Sequence, residues 1–167
     1  MAEGLLQARA AERGEAVTVH SAGLMDDGRR ATDDGVAVMA ARGVDTSGHL
    51  SRRMQAEMLE QADLVVGMAR EHVREAVLLQ PSCWGKAFTL KELVRRGEDA
   101  GGRSPDQPVA EWLAKVHAGR TRADLLGSSS DDDVADPIGQ RRTAYEATAD
   151  ELDDLTRRLA NLLWGSA

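Results

Sequence analysis

The residues best suited to chemistry lie in Asp131-Asp132-Asp133-Val134-Ala135-Asp136-Pro137-Ile138-Gly139, directly after the run Ser128-Ser129-Ser130. Pro137 removes a backbone donor and turns Asp136 away from helical geometry, so its carboxyl sits on a stiff loop tip. A carboxyl held that way can hand a proton to a leaving group bound beside it. The same acids also read as a cap for the helix predicted to begin near Gln140, because carboxylates are favoured at a helix N-terminus.

Other reactive types give less. Cys83 is the only thiol. A phosphate-binding Cys-x5-Arg loop built on it would need arginine at position 89, where Thr89 stands, and no glycine-rich run of backbone donors comes after it. It reads as a surface or half-buried cysteine near a strand. His20, His49, His72 and His117 have no partners at metal-ligand spacing, so no metal and no cofactor is called for. The pairs Arg29-Arg30, Arg52-Arg53, Arg95-Arg96 and Arg141-Arg142 read as solvated faces, Arg52 and Arg53 being the two that an extended segment could carry towards a cleft. Trp84, Trp112 and Trp164 are too scattered for a stacking platform.

The elements that must position Asp136 alternate between strand and helix patterns. Met1 to Gly14 predicts a helix, Val17–Ser21 a short β-branched strand, and Thr32 an N-cap for a helix through Ala41 that Gly43 closes. Met54 to Gln61 predicts a short helix, and Leu64–Met68 a buried parallel strand. Ala69 to Leu79 predicts a helix, Lys86–Thr89 a strand, Leu90 to Arg96 a helix ended by Gly97, and Val109 to Ala118 another helix. The longest pattern runs from Gln140 to Trp164, with Tyr145, Leu152, Leu155, Leu159 and Leu162 on one stripe. Alternation of this kind predicts an α/β fold, a parallel sheet flanked by helices, as a single domain over residues 1–167. The net charge of −7 argues against a nucleic-acid partner, and no apolar run reaches membrane-spanning length. One cysteine and no signal-like opening segment give a cytoplasmic expectation.

Taken in order, Ser21-Ala22-Gly23, Gly43-Val44-Asp45-Thr46-Ser47-Gly48-His49, Ser51-Arg52, Ala62-Asp63-Leu64-Val65-Val66-Gly67-Met68, Leu90-Lys91-Glu92-Leu93 and Asp133-Val134-Ala135-Asp136-Pro137 resemble the low-molecular-weight protein-tyrosine phosphatases. The resemblance implies a four-stranded parallel sheet. It also implies attack of a cysteine thiolate on phosphorus, a phosphate loop that holds the oxygens, and Asp136 as the acid that protonates the leaving phenol. The implied partner is a phosphorylated protein or a small aryl phosphate.

Two departures shape what is expected. Met1-Ala2-Glu3-Gly4-Leu5-Leu6 resembles the family's residues immediately C-terminal to a Cys-x5-Arg-Ser-Pro loop, so that loop and the central first strand are expected to be missing. The chain as given is then inactive, through a misplaced start codon or a truncated gene. Val17–Ser21 is expected to be left unpaired or displaced, and a homodimer could cover the open edges. Leu24, Met25 and Ile138 stand where phosphotyrosine enzymes often carry aromatic residues, which makes the expected substrate slot aliphatic. Two alternatives stay open, a non-catalytic binding protein on this scaffold and an arsenate-reductase-like protein, for which one cysteine is few.

Overall fold

The first two helices of the chain start differently, one without a side-chain cap and the next on a capping threonine. In the computed structural model, which describes residues 1–165, the chain forms two units. The first comprises Met1–Arg53 with Ala135–Ala160; the second comprises Met54–Val134 with residues 161–165. In the first unit, α1 (Ala2–Glu12) buries Leu5 and Ala10. The second helix, α2 (Asp33–Ala40), starts where Thr32 Oγ1 accepts the Gly35 amide at 3.2 Å, with Asp33 and Asp34 in its positive first turn. Gly43, at φ 76°, then lets Val44 donate to Met39 O and end the helix.

The long helix of the chain is α7 (Arg142–Trp164), and all five residues of its predicted stripe are buried. Val38 of α2 packs with Tyr145 and Ala149 of α7, and Met1 lies against this cluster. Arg9 of α1 pairs with Asp153 at 2.5 Å, and Arg42 pairs with Asp150. The strand expected at Val17–Ser21 does not form. Val17 is 43% exposed, and the segment has no ladder partner among the described residues. Gln7 holds it from α1 instead, Nε2 donating to Val19 O at 2.7 Å. β-branched residues favour a pleated surface, but without a neighbour to pair with they do not make one.

The second unit holds the sheet. Strand β1 (Val65–Gly67) pairs in parallel with β2 (Ala87–Thr89), Val66 opposite Phe88. Helices α3 (Ala56–Gln61), α4 (Arg70–Leu79), α5 (Leu90–Ala100) and α6 (Val109–His117) accompany it. Among the described residues the sheet has two strands, where the family resemblance implies four. No helix among those residues is long and apolar enough to cross a membrane.

Two expectations change here. Helix α5 runs through Gly97 to Ala100 instead of ending at it. Gly97 is there for space: a Cβ on it would come within 2.9 Å of Leu162 Cδ1 and 3.0 Å of the Trp112 ring. Cys83 is fully buried, among Leu59, Val73, Ala76, Val77, Ala87 and Leu125.

The same unit encloses an ion pair. Arg120 donates from Nε to Glu92 Oε1 at 2.7 Å and from Nη2 to Glu92 Oε2 at 2.9 Å. Its guanidinium lies 4.2 Å from the Trp84 ring centroid and 4.0 Å from that of Phe88. Nη1 lies 3.0 Å from His117 Nδ1. Burial, then the charges of Arg120 and Arg96, hold the His117 imidazole below its ordinary pKa, so the folded chain keeps it neutral.

Two variants probe this packing. Gly97→Val should lower unfolding free energy by about 1–3 kcal/mol in urea titrations, because Trp112 cannot give way. For His117, the unfolded chain binds the proton near pH 6.5 and the folded chain only below that. Stability should therefore be full above pH 6.5 and fall as the pH drops from there towards the lowered folded value. Urea midpoints measured from pH 8 to pH 5 should show this fall in the wild-type chain and less of it in His117→Gln.

Candidate functional site

An aspartate run in water is mobile; this one is pinned by guanidinium and amide donors. Asp132, buried, takes Arg70 Nε at 2.8 Å and Nη2 at 2.6 Å on Oδ2, and Arg95 Nη2 at 2.8 Å on Oδ1. Burial raises its pKa, but the hydrogen bonds and charges of Arg95 and Arg70 outweigh that and hold the carboxyl below its usual value. Asp133 accepts the Arg70 amide on Oδ1 at 2.7 Å and the Ser129 amide on Oδ2 at 2.9 Å. Val134 N donates to Met68 O at 2.8 Å, just past the end of β1.

The acids therefore do cap a helix, but it is α4 and not α7. Asp133 supplies the N-terminal acceptor that Ala69, which precedes α4, lacks. Helix α7 begins at Arg142 with no acidic residue in its first turn. Sequence spacing could not find this clamp, since Arg70 and Asp132 are 62 positions apart.

Two residues after Val134, Asp136 is exposed. Its Oδ1 accepts the Ile138 amide at 3.0 Å, and its carbonyl accepts Gln140 Nε2 at 2.7 Å. Thr148 of α7 donates to Ala135 O at 3.1 Å, which ties the loop to that helix. Asp136 lines a groove of about 280 Å³ with Pro137, Gln140, Ala144, Thr148 and Glu151. Gln140, Thr148 and Glu151 were not among the residues expected there. Gln140 and Glu151 are ordinary polar positions of the α7 pattern, and Thr148, buried, falls on its apolar stripe between Tyr145 and Leu152, so none carries a distinguishing mark in the sequence.

The expected lining residues fall on two loops of the first unit. Ile138 lies two positions beyond Asp136 and is 71% exposed. Leu24, half-buried, and Met25, 63% exposed, belong to the loop after Ser21-Ala22-Gly23. That loop is tied to the Ser51-Arg52 segment through Gly23 N on Arg52 O at 2.8 Å. Two further motif residues meet at the first turn of α1, where Glu3 Oε2 accepts from Ser21 Oγ at 2.5 Å and lies 3.6 Å from His49 Nδ1. His72 has a local task, its Nδ1 accepting the Met68 amide at 3.2 Å. Among the described residues no group of three or more histidines, cysteines and carboxylates is placed to hold a metal ion.

Cys83, the one thiol, is remote from any such role. Burial pushes its pKa up, against a smaller opposing pull from Lys86. A thiol so placed is not a thiolate at neutral pH.

Residues 1–109 match the family of low molecular weight phosphotyrosine protein phosphatases, and the chain belongs to that family. It is 29% identical over 164 residues to the protein-arginine-phosphatase of Bacillus subtilis (strain 168), an alignment that covers 98% of this chain and 87% of that protein. It is 31% identical over 83 residues to the low molecular weight protein-tyrosine-phosphatase Etp of Escherichia coli (strain K12), covering 49% of this chain and 56% of Etp. Among solved structures, the low molecular weight protein tyrosine phosphatase from T. tengcongensis superposes with a TM-score of 0.71 at 29% identity, over 97% of this chain and 88% of that one.

The clamp makes a measurable difference. Asp132→Asn should leave two guanidiniums short of their counter-charge and lower unfolding free energy by about 1–3 kcal/mol at pH 7. In the wild-type chain the Asp132 contribution should be present above about pH 3.8 and lost as the pH falls through the depressed folded value. Chemical denaturation of both proteins across the acid range checks this.

Proposed function

We propose that this chain is a protein-phosphatase domain in which Asp136 is the general acid, and that its 167 residues do not themselves supply the nucleophile. The burial of Cys83 carries the second half of this reading. Hydrolysis by the route the family resemblance implies needs an accessible thiolate that attacks phosphorus while the leaving oxygen takes a proton. Asp136 is exposed on a clamped loop beside a groove, which suits the proton transfer. The Cys-x5-Arg loop, which would bind the phosphoryl oxygens and attack, has no match in the sequence. As it stands the chain is a phosphatase scaffold with an acid and no phosphate-binding loop.

The substrate we infer is a phosphorylated protein side chain, and phosphoarginine is favoured over phosphotyrosine. The residues assigned to the slot, Leu24, Met25 and Ile138, are aliphatic, so the slot offers no aromatic face for a phenyl ring to stack on. The protein-arginine-phosphatase of Bacillus subtilis aligns along nearly the whole chain, whereas Etp aligns along about half.

Two assays test the reading. The purified 167-residue chain should release no p-nitrophenol from p-nitrophenyl phosphate above background. Release that disappears in Cys83→Ser would overturn it. The second assay uses a chain extended at Met1 by a strand and a Cys-x5-Arg loop taken from a family member. That chain should regain hydrolysis, and Asp136→Asn should slow it by about two to four orders of magnitude for a poor leaving group. The loss should be much smaller for a leaving group that needs no proton. Equal losses for both would remove Asp136 from the acid role, and faster turnover of phosphotyrosine than of phosphoarginine peptides would reverse the preference.

A further inference from the structure

We propose that an arginine-rich patch on the first unit docks an acidic peptide segment of the phosphoprotein substrate. The inference rests on the proposed protein substrate and adds to it a statement about the sequence around the phosphorylated residue.

The patch is built from two segments joined through their backbones. Gly23 and Arg53 form one bridge, Arg30 and Leu50 another. Ser51 is the rivet between them. Its amide donates to Arg29 O at 2.8 Å, its carbonyl accepts the Gly28 amide at 2.9 Å, and its Oγ accepts the Arg29 amide at 3.0 Å and donates to Asp26 O at 2.8 Å. The Asp27 carboxylate accepts the Arg53 amide. None of these bonds uses an arginine side chain, so the four guanidiniums of Arg29, Arg30, Arg52 and Arg53 are not needed to hold the patch together.

Nor are those guanidiniums neutralised. All four arginines are exposed. Arg29, 62% exposed, comes only within 3.8 Å of Asp26, itself 80% exposed, a pair worth little in water. Among the described residues the side chains of Arg30, Arg52 and Arg53 make no ion pair or hydrogen bond. Four cations against Asp26 and Asp27 make a local positive surface on a chain of net charge −7. A charge of that sign, opposite to the molecule's own, attracts an acidic segment to this one place and repels it elsewhere.

Two further features select a peptide over other polyanions. Met25 and Leu50, 63% and 53% exposed, give aliphatic contact beside the charges. The two segments contain no aromatic residue on which a base could stack. The patch also shares its loop with Leu24 and Met25, the residues assigned to the substrate slot, so a peptide lying across it continues into that slot.

The test is fluorescence anisotropy with a labelled, unphosphorylated glutamate-rich peptide, and with a lysine-rich peptide of equal length. Because neither peptide is a substrate, failure of the Asp136 assignment would leave this result untouched. The wild-type chain should bind the acidic peptide at least about tenfold more tightly than the basic one, with affinity falling steeply as salt is raised. Arg52→Glu/Arg53→Glu should lose about tenfold, and Lys115→Glu, an exposed control on the second unit, should not. Arg30→Glu is the independent variant should the double variant fail to fold. Equal affinity for the two peptides, or the same loss in Lys115→Glu, would overturn the proposal. So would tighter binding to phosphatidylserine vesicles than to the acidic peptide.

Discussion

One carboxylate shared by two guanidiniums fixes the acidic stretch at the end of the second unit. Asp132 alone would be a poor choice for a buried position, since desolvation disfavours its charge. Arg70 brings two donors from the start of α4 and Arg95 brings one from α5, so the charge is both matched and hydrogen-bonded. Asp133 and Val134 then fasten the next two residues to the end of β1 and the start of α4. The clamp ends at Val134; Asp136 belongs to the first unit, where Thr148 holds Ala135 O and Pro137 restricts the backbone.

A second enclosed charge lies in the same unit. Thr89-Leu90-Lys91-Glu92 has the spacing of a capping box, and Thr89 does accept the Glu92 amide at 3.1 Å. Glu92 does not reach back to complete the box. Its carboxylate turns inward to Arg120, which lies between Trp84 and Phe88. Two cation–π faces and a bidentate carboxylate together compensate the desolvation of the guanidinium, which a lone partner would do less well.

Helix positions were legible in the sequence because they obey local rules: Thr32 caps α2, Gly43 ends it, and the Tyr145-to-Leu162 stripe of α7 is buried as its spacing requires. What failed was non-local. Val17–Ser21 has the composition of a strand, but a strand is a relation between two segments, and composition describes one. Gly97 has the look of a helix stop, and only the Trp112 ring beside it reveals that it marks a close approach. Asp136 stood out through Pro137, while Arg70 and Arg95 did not, because each acts through Asp132, many positions away. The family resemblance was visible in the same way as the helices, in short ordered blocks, and the match of residues 1–109 bears it out.

Burial of Cys83 has a use beyond chemistry. A single thiol at 0% exposure, packed among apolar side chains of the second unit, meets a water-soluble alkylating reagent only when that unit opens. Its labelling rate is therefore a clock on local unfolding, readable by mass in the unmodified sequence with no engineered probe. In the limit where reclosing outpaces alkylation, the rate gives the free energy of opening around β2, separately from any opening of the first unit, which contains no thiol at all.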